Sequence, residues 1–194
     1  SVRDDTYTQT SYVCGKADLQ PFFDQLPFTL TGAQQRAIDQ VRQDLAKNTP
    51  MNRLVQGDVG SGKTMVAAAA SYIAFQNHYM SALMAPTEIL AQQHYHGLSK
   101  LLEPLGMRLG LLCGSMTAKE KRDIKERIAL GMVDLVIGTH ALISKDVDLP
   151  NLALVVTDEQ HRFGVRQRAS LSEKSNHPHT LVMSATPIPR TLAL

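Results

Sequence analysis

Two short motifs carry residues whose types and spacing suit phosphate chemistry. In the first, GDVGSGKT, a glycine is followed after four residues by Gly62, Lys63 and Thr64. A glycine-rich loop that opens a helix wraps phosphate with backbone N–H groups, while the lysine reaches the phosphates and the hydroxyl reaches a magnesium ion. Taken alone, the glycines also suit an ordinary strand-to-helix turn. The predicted phosphate-binding residues are Gly57, Asp58, Val59, Gly60, Ser61, Gly62, Lys63 and Thr64.

The second motif, DEQH, follows the apolar run 152–157, which is typical of a strand buried on both faces. Open parallel sheets bind ligands at the carboxyl ends of their strands. We therefore expect Asp158, together with Thr64, to hold magnesium and Glu159 to orient or deprotonate the attacking water. The two motifs together predict hydrolysis of a nucleoside triphosphate, with Lys63, Asp158 and Glu159 as catalytic residues.

Apolar runs and helical periodicities alternate along the chain and must position these motifs. The predicted strands are 53–56, 81–85, 108–112, 134–138, 152–157 and 180–184, and the intervening helices are 63–75, 89–102, 118–130 and 165–174. A further helix is expected from residue 31, ending before Pro50. Strands that alternate with helices predict a mostly parallel sheet covered on both faces. The expected fold class is an α/β three-layer sandwich of the P-loop NTPase type.

Composition limits the other possibilities. The chain has 194 residues, 43% of them hydrophobic and 20% charged, which suits one globular domain. It has no apolar run long enough to span a membrane and no signal peptide, and its two cysteines, Cys14 and Cys113, suit free thiols in a reducing cytosol. A net charge of +2, 5% aromatic residues and no tryptophan favour local contacts to a nucleic-acid backbone over base stacking.

Residues 1–27 are irregular and are expected to form an N-terminal connector, with the nucleotide-binding domain at 28–194. The absence of an initiator methionine suggests a fragment of a longer protein. The charge-dense segment 119–127 has oppositely charged residues four apart and is expected to be a solvated helix capped by Thr117 and Glu120.

Six strings together resemble the first RecA-like motor domain of the bacterial RecG family, superfamily 2 DNA translocases that remodel stalled forks and branched recombination intermediates. They are LPFTLTGAQQRA, GDVGSGKT, MAPTEILAQQHY, IGTHALI, DEQHRFGVRQR and SATPIPRTLA. The Mfd translocases carry closely similar versions of the last two strings. Gln160 favours the RecG family, because the Mfd group usually has a glutamate there.

The resemblance implies that Phe28 and Gln34 recognise adenine, the amide reading the base while the aromatic ring packs beside it. Thr31 and Gln34 also have the spacing of a capping box, which by itself could explain both side chains. The alternatives stay open at this point.

The resemblance also implies DNA-backbone contacts from two loops, Pro86, Thr87 and Glu88 in the first and Gly138, Thr139 and His140 in the second. Thr87 is equally suited to cap a helix, and turns have the same composition as phosphate-binding loops. Residues 113–115 are a candidate third loop, although the family has a threonine where this chain has Cys113. The segments expected to couple the nucleotide to DNA contain Gln160, His161, Ser184 and Thr186.

The expected protein is therefore an ATP-dependent DNA helicase of DNA repair and recombination, using ATP and Mg²⁺ and acting on branched or forked duplex DNA. The resemblance implies an upstream wedge domain and a downstream second RecA-like domain, a monomer, no membrane contact and a bacterial cytoplasmic location. We expect the isolated segment to hydrolyse ATP weakly, because the second domain supplies an arginine finger. The alternatives are an Mfd-type translocase and a nucleotide-gated DNA-binding module without hydrolysis, against which Glu159 argues.

Overall fold

The computed structural model describes residues 9–56, 62–159 and 165–184. Within them the helices are α1 (Gln20–Gln25), α2 (Gly32–Leu45), α3 (Lys63–Gln76), α4 (Glu88–Leu102), α5 (Ala118–Ala129) and α6 (Val165–Ser172). The strands are β1 (Asn52–Gln56), β2 (Met80–Met84), β3 (Leu109–Leu112), β4 (Leu135–Gly138), β5 (Leu152–Glu159) and β6 (His179–Ser184). Short 3₁₀ turns occupy Glu103–Leu105 and His140–Ile143.

The described strands form one six-stranded sheet in the order β1-β6-β5-β2-β4-β3, and every pair in it is parallel. Parallel neighbours require crossover connections, which the helices between the strands provide. From β1 at one edge the chain crosses to β2 in the middle and continues to β3 at the other edge. It then returns through β4, β5 and β6, which pairs with β1. All the carboxyl ends of the strands therefore lie along one edge of the sheet.

Two apolar cores lie on opposite faces of this sheet. The larger core joins Leu154 and Val156 of β5 to α2, α3 and α4, whereas Val155 faces the smaller core with α5 and α6. This alternation is the two-residue period of a strand. The three-layer α/β/α sandwich predicted from the sequence is confirmed.

The helix starts follow from local chemistry. Thr31 caps α2 and Thr117 caps α5, each as a complete capping box with the residue three positions later. Only Ile124 and Ile128 of α5 are buried, as expected for a solvated surface helix. In contrast, every residue of α3 from Val66 to Ala74 is buried, so this alanine-rich helix packs closely between the sheet and α2.

Part of the segment 9–27 is docked on the larger core, through Cys14, Leu19 and Phe22. Phe22 of α1 is fully buried, and its ring stacks on Tyr72 with centroids 6.3 Å apart. The Asn77 side chain both donates to the Lys16 carbonyl at 2.8 Å and accepts from the Lys16 N–H at 3.0 Å. Residues 16–25 therefore contribute to the stability of this domain, while the boundary at residue 28 stays a prediction.

His179 links three parts of the chain at the start of β6. Its Nδ1 accepts a hydrogen bond from the Met51 N–H at 2.9 Å, and its Nε2 lies 2.7 Å from the Tyr12 carbonyl, which can only accept. These partners define a neutral imidazole protonated on Nε2. Burial lowers the pKa of His179 below its ordinary value.

We expect the His179→Gln variant to lose part of the pH dependence of stability. Below about pH 6.5 the unfolded chain binds a proton at His179 that the native state does not, so stability falls by up to about 1.4 kcal/mol per pH unit until the lowered native pKa is reached. Thermal unfolding midpoints between pH 7.5 and 5.5 measure this slope. The exposed His96→Gln serves as the matched control, and equal slopes in wild type and His179→Gln would contradict the assignment.

The predicted elements agree with the structure to within about two residues at most ends. Helix α1 was not predicted, and α6 ends at Ser172 rather than at 174. No helix among the described residues is long and apolar enough to cross a membrane.

Candidate active site

The carboxyl edge of the sheet has two halves. The ends of β1, β6 and β5 carry the phosphate-loop and acidic motifs, and we call them the nucleotide half. The ends of β2, β4 and β3 carry the three loops for which DNA contacts are predicted, and we call them the DNA half. The halves meet where β5 pairs with β2.

Gly62 is the N-cap of α3 and has a φ of 85°, in the left-handed region. A Cβ atom placed on Gly62 would lie 1.7 Å from Nε2 of Gln34. The left-handed backbone conformation therefore favours glycine, and any larger residue would also displace the Gln34 side chain. The predicted phosphate-binding residues Gly57, Asp58, Val59, Gly60 and Ser61 lie outside the described residues.

Lys63 and Thr64 form the first turn of α3, directly after this glycine. The Lys63 Nζ is buried and has no hydrogen-bond partner among the described residues. A buried ammonium group without a partner is unfavourable unless an anion completes its environment. The position therefore suits a phosphate ligand.

Asp158 and Glu159 are the last two residues of β5, so their side chains project to opposite faces of the sheet. Asp158 is buried on the face of the larger core. Its Oδ2 lies 2.7 Å from Nε2 of His94, a residue of α4, whereas its Oδ1 is buried without a hydrogen-bond partner in the described part of the chain. His94 was not singled out from the sequence, although it lies within the string MAPTEILAQQHY.

Glu159 faces the other side, where it lines a cavity of about 460 Å³ with residues of β1, β6 and α6. In the register of the sheet, Ser184 lies between Gln56 and Glu159. The predicted coupling residue Ser184 is therefore adjacent to both the phosphate-loop strand and the acidic motif. Gln160, His161 and Thr186 lie outside the described residues.

The two residues predicted to recognise adenine line different cavities. Gln34 lines a cavity of about 200 Å³ beside Val55, Gly62 and Lys63. Phe28 is 49% exposed and lines a larger groove on the other side of α2. The capping box is present, since Oε1 of Gln34 accepts from the Thr31 N–H at 2.8 Å. The structure thus brings Gln34, but not Phe28, beside Gly62 and Lys63.

In the DNA half, Thr87 caps α4 by accepting from the Leu90 N–H at 3.2 Å. The Glu88 carboxylate accepts from both the N–H (2.8 Å) and the hydroxyl (2.5 Å) of Ser115. The pKa of Glu88 is lowered, chiefly by these two hydrogen bonds and further by the nearby His140. Glu88 therefore holds the loops after β2 and β3 together, and direct contact of Glu88 or Pro86 with DNA stays a prediction.

The second predicted DNA-contact loop begins at Gly138, where a Cβ atom would lie 2.2 Å from the carbonyl oxygen of Leu112. Thr139 is only 2% exposed, and its hydroxyl has no partner among the described residues. His140 is exposed. Of the three predicted DNA contacts in this loop, His140 is thus the one whose side chain faces solvent.

A parallel sheet with a phosphate-loop helix and an acidic strand end on one edge defines a P-loop nucleoside triphosphatase. Residues 31–194 match the family model of the DEAD/DEAH box helicases, and the chain belongs to that family.

Within it, the chain is similar to curated proteins named ATP-dependent DNA helicase RecG. It is 55% identical to the Synechocystis sp. protein over 176 residues and 51% identical to the Aquifex aeolicus protein over 178 residues. Each alignment covers 91% of this chain but only 21% and 22% of the respective relative. The chain therefore spans about a fifth of the length of these proteins.

Two solved structures have the same fold. One is a RecG bound to a three-way DNA junction, with a TM-score of 0.84 and 43% identity over the whole of this chain and 26% of that one. The other, the helicase MrfA, has a TM-score of 0.64 at 18% identity, covers 89% of this chain and 29% of its own, and supports the fold alone. The resemblance to RecG helicases expected from the six strings is confirmed.

Proposed function

We propose that this chain is the ATP-binding motor domain of a RecG-type DNA helicase, which couples ATP hydrolysis to translocation on duplex DNA. The observation that supports this best is a pair of buried polar atoms, Nζ of Lys63 and Oδ1 of Asp158, which have no hydrogen-bond partner within residues 9–56, 62–159 and 165–184. Buried polar atoms are normally hydrogen-bonded, and a bound ion or ligand is one way in which such atoms are satisfied. Lys63 and the α3 N-terminus would bind the phosphates of ATP.

These residues fit a magnesium ion, which prefers oxygen ligands and in such enzymes is bound by a hydroxyl, a carboxylate and the phosphates. Thr64 and Asp158 would hold it, and when bound it neutralises charge on the phosphate oxygens. Glu159, on the opposite face of β5, would orient the attacking water and accept its proton. Because adjacent residues of a strand point to opposite faces, Asp158 would bind the metal on one face while Glu159 acts on the water from the other.

The DNA half would bind the backbone of duplex DNA. Thr87 and His140 present polar groups at its surface, and the α4 N-terminus offers backbone N–H groups to a phosphate. The similar solved structure contains a three-way DNA junction, which makes branched DNA the substrate we propose. A wedge domain and a second RecA-like domain in the same protein, and a role in repair and recombination in the bacterial cytoplasm, belong to this proposal.

The test is ATP hydrolysis by the full-length protein without DNA, with linear duplex and with a three-way junction. The proposal requires stimulation that is greatest with the junction and is abolished by chelation of Mg²⁺. Equal rates under all three conditions would refute the branched substrate. Strand separation on forked DNA distinguishes this helicase from an Mfd-type translocase.

Adenine recognition by Gln34 can be separated from its capping role. Gln34→Glu keeps an acceptor for the Thr31 N–H but removes the amide N–H group that would donate to the base. We expect this variant to lose roughly tenfold or more of its preference for ATP over GTP, with little change in thermal stability. Competition binding with both nucleotides measures the ratio. An unchanged ratio would restrict Gln34 to the capping box.

A further inference from the structure

One buried hydrogen bond, between His94 and Asp158, has no role in the proposed function. His94 and Asp158 are 64 residues apart in sequence, yet Nε2 of His94 lies 2.7 Å from Oδ2 of Asp158. Their side chains are 13% and 4% exposed, so the hydrogen bond is shielded from solvent. It joins a helix of the DNA half to the acidic strand of the nucleotide half.

The contact acts on one oxygen of the carboxylate. Oδ2 is held by His94, whereas Oδ1 is buried and has no hydrogen-bond partner in the described residues. A carboxylate held in this way presents its other oxygen in one orientation. Groups that hydrogen-bond a metal-ligating side chain fix its geometry, and their loss typically weakens metal binding by about 10- to 100-fold.

The position of His94 on α4 gives the contact a second consequence. The helix begins at Glu88, and six residues at 1.5 Å each place His94 about 9 Å along its axis. The first turn of α4 contains Glu88, one of the residues predicted to contact DNA. Glu88 is also hydrogen-bonded to Ser115 in the loop after β3. The first turn of α4 and His94 thus belong to one continuous helix, so a rigid shift of that helix would move both.

We propose that His94 is a positioning residue, which orients Asp158 for the magnesium ion and makes magnesium binding respond to DNA at the start of α4. The inference rests on the proposed function, because it takes Asp158 as the magnesium ligand and the first turn of α4 as a DNA contact. It assigns a role to a histidine that the phosphate-loop and acidic motifs do not include.

The experiment compares magnesium dependence in the full-length protein. A fluorescent ATP analogue is bound at increasing Mg²⁺ concentration, with and without a three-way junction, and Mn²⁺ replaces Mg²⁺ for electron paramagnetic resonance. His94→Ala and His94→Leu should raise the half-saturating Mg²⁺ concentration by about 10- to 100-fold and alter the Mn²⁺ spectrum. His94→Gln, which keeps an N–H donor, should recover most of the loss.

The exposed His96→Ala on the same helix is the matched control and should match wild type. In wild type the junction should lower the half-saturating Mg²⁺ concentration, and in His94→Leu this shift should disappear. His94→Leu fills the space of the ring, so a folded variant remains available if the alanine variant unfolds.

The outcomes separate the inference from the function on which it rests. Normal Mg²⁺ dependence in a folded His94→Leu variant would overturn the inference and leave the proposed function intact. A weakened affinity for Mg²⁺ that His94→Gln does not recover would also overturn it, because the hydrogen bond would then not be the cause. If wild type showed no Mg²⁺-dependent nucleotide binding, the proposed function itself would fail.

Discussion

Replacement of Glu159 with glutamine is expected to lower ATP turnover by about 10²- to 10⁴-fold while ATP affinity stays close to that of wild type. The amide has the shape of the carboxylate but cannot accept a proton from water. Glu159 also faces away from Asp158 across β5, so the substitution leaves the predicted magnesium ligand undisturbed. Phosphate release at saturating junction DNA measures turnover, and binding of a fluorescent ATP analogue measures affinity.

The matched control for this prediction is Glu173→Gln, an exposed glutamate just beyond α6. It should hydrolyse ATP at the wild-type rate. If Glu159→Gln did so as well, water activation would belong to another group, and a nucleotide-gated binding module would become the better account of the chain.

Replacement of Lys63 with methionine is expected to weaken ATP binding by about 10- to 100-fold or more, since each charge-assisted hydrogen bond is worth about 1.5–3 kcal/mol. The same substitution should leave the thermal midpoint of the nucleotide-free protein unchanged or higher. The reason is that Nζ is buried without a partner among the described residues, and methionine keeps the apolar stem while it removes the charge.

Weaker ATP binding without a lower thermal midpoint distinguishes a ligand-binding lysine from a structural one. A structural lysine would lose stability and affinity together. Lys119→Met, an exposed lysine in the first turn of α5, is the control and should change neither quantity. A lower thermal midpoint for nucleotide-free Lys63→Met would contradict the assignment of this lysine as a phosphate-binding residue.

The sheet could be predicted from the sequence because each buried parallel strand is a short apolar run between helical periodicities, as at β2 and β5. The capping boxes at Thr31 and Thr117 could also be predicted from the sequence, because each partner lies only three residues away. Helix α1 was missed because six residues that include Pro21 and a pair of phenylalanines show no helical period.

The contacts between distant segments could not be predicted in this way. Nothing in the spacing of His94 and Asp158 indicates that they touch, because their proximity depends on how α4, which packs against β3 and β4, places His94 beside the end of β5. The hydrogen bonds between Glu88 and Ser115 likewise depend on β2 and β3 lying on either side of β4. No local pattern indicates the burial of Thr139 or the close approach of the Leu112 carbonyl to Gly138.

The pairing of β1 with β6 determines when the sheet can be completed during synthesis on the ribosome. β1 is an edge strand whose described partner, β6, begins at His179, and the hydrogen bond from Met51 to His179 spans 128 residues. The phosphate-loop strand therefore emerges long before its partner is synthesised, while β2, β3 and β4 can already assemble. A nascent chain released before residue 179 would keep its DNA half but lack the strand that completes the nucleotide half. The sheet edge that carries the phosphate-loop strand is thus completed only after β6 has been synthesised.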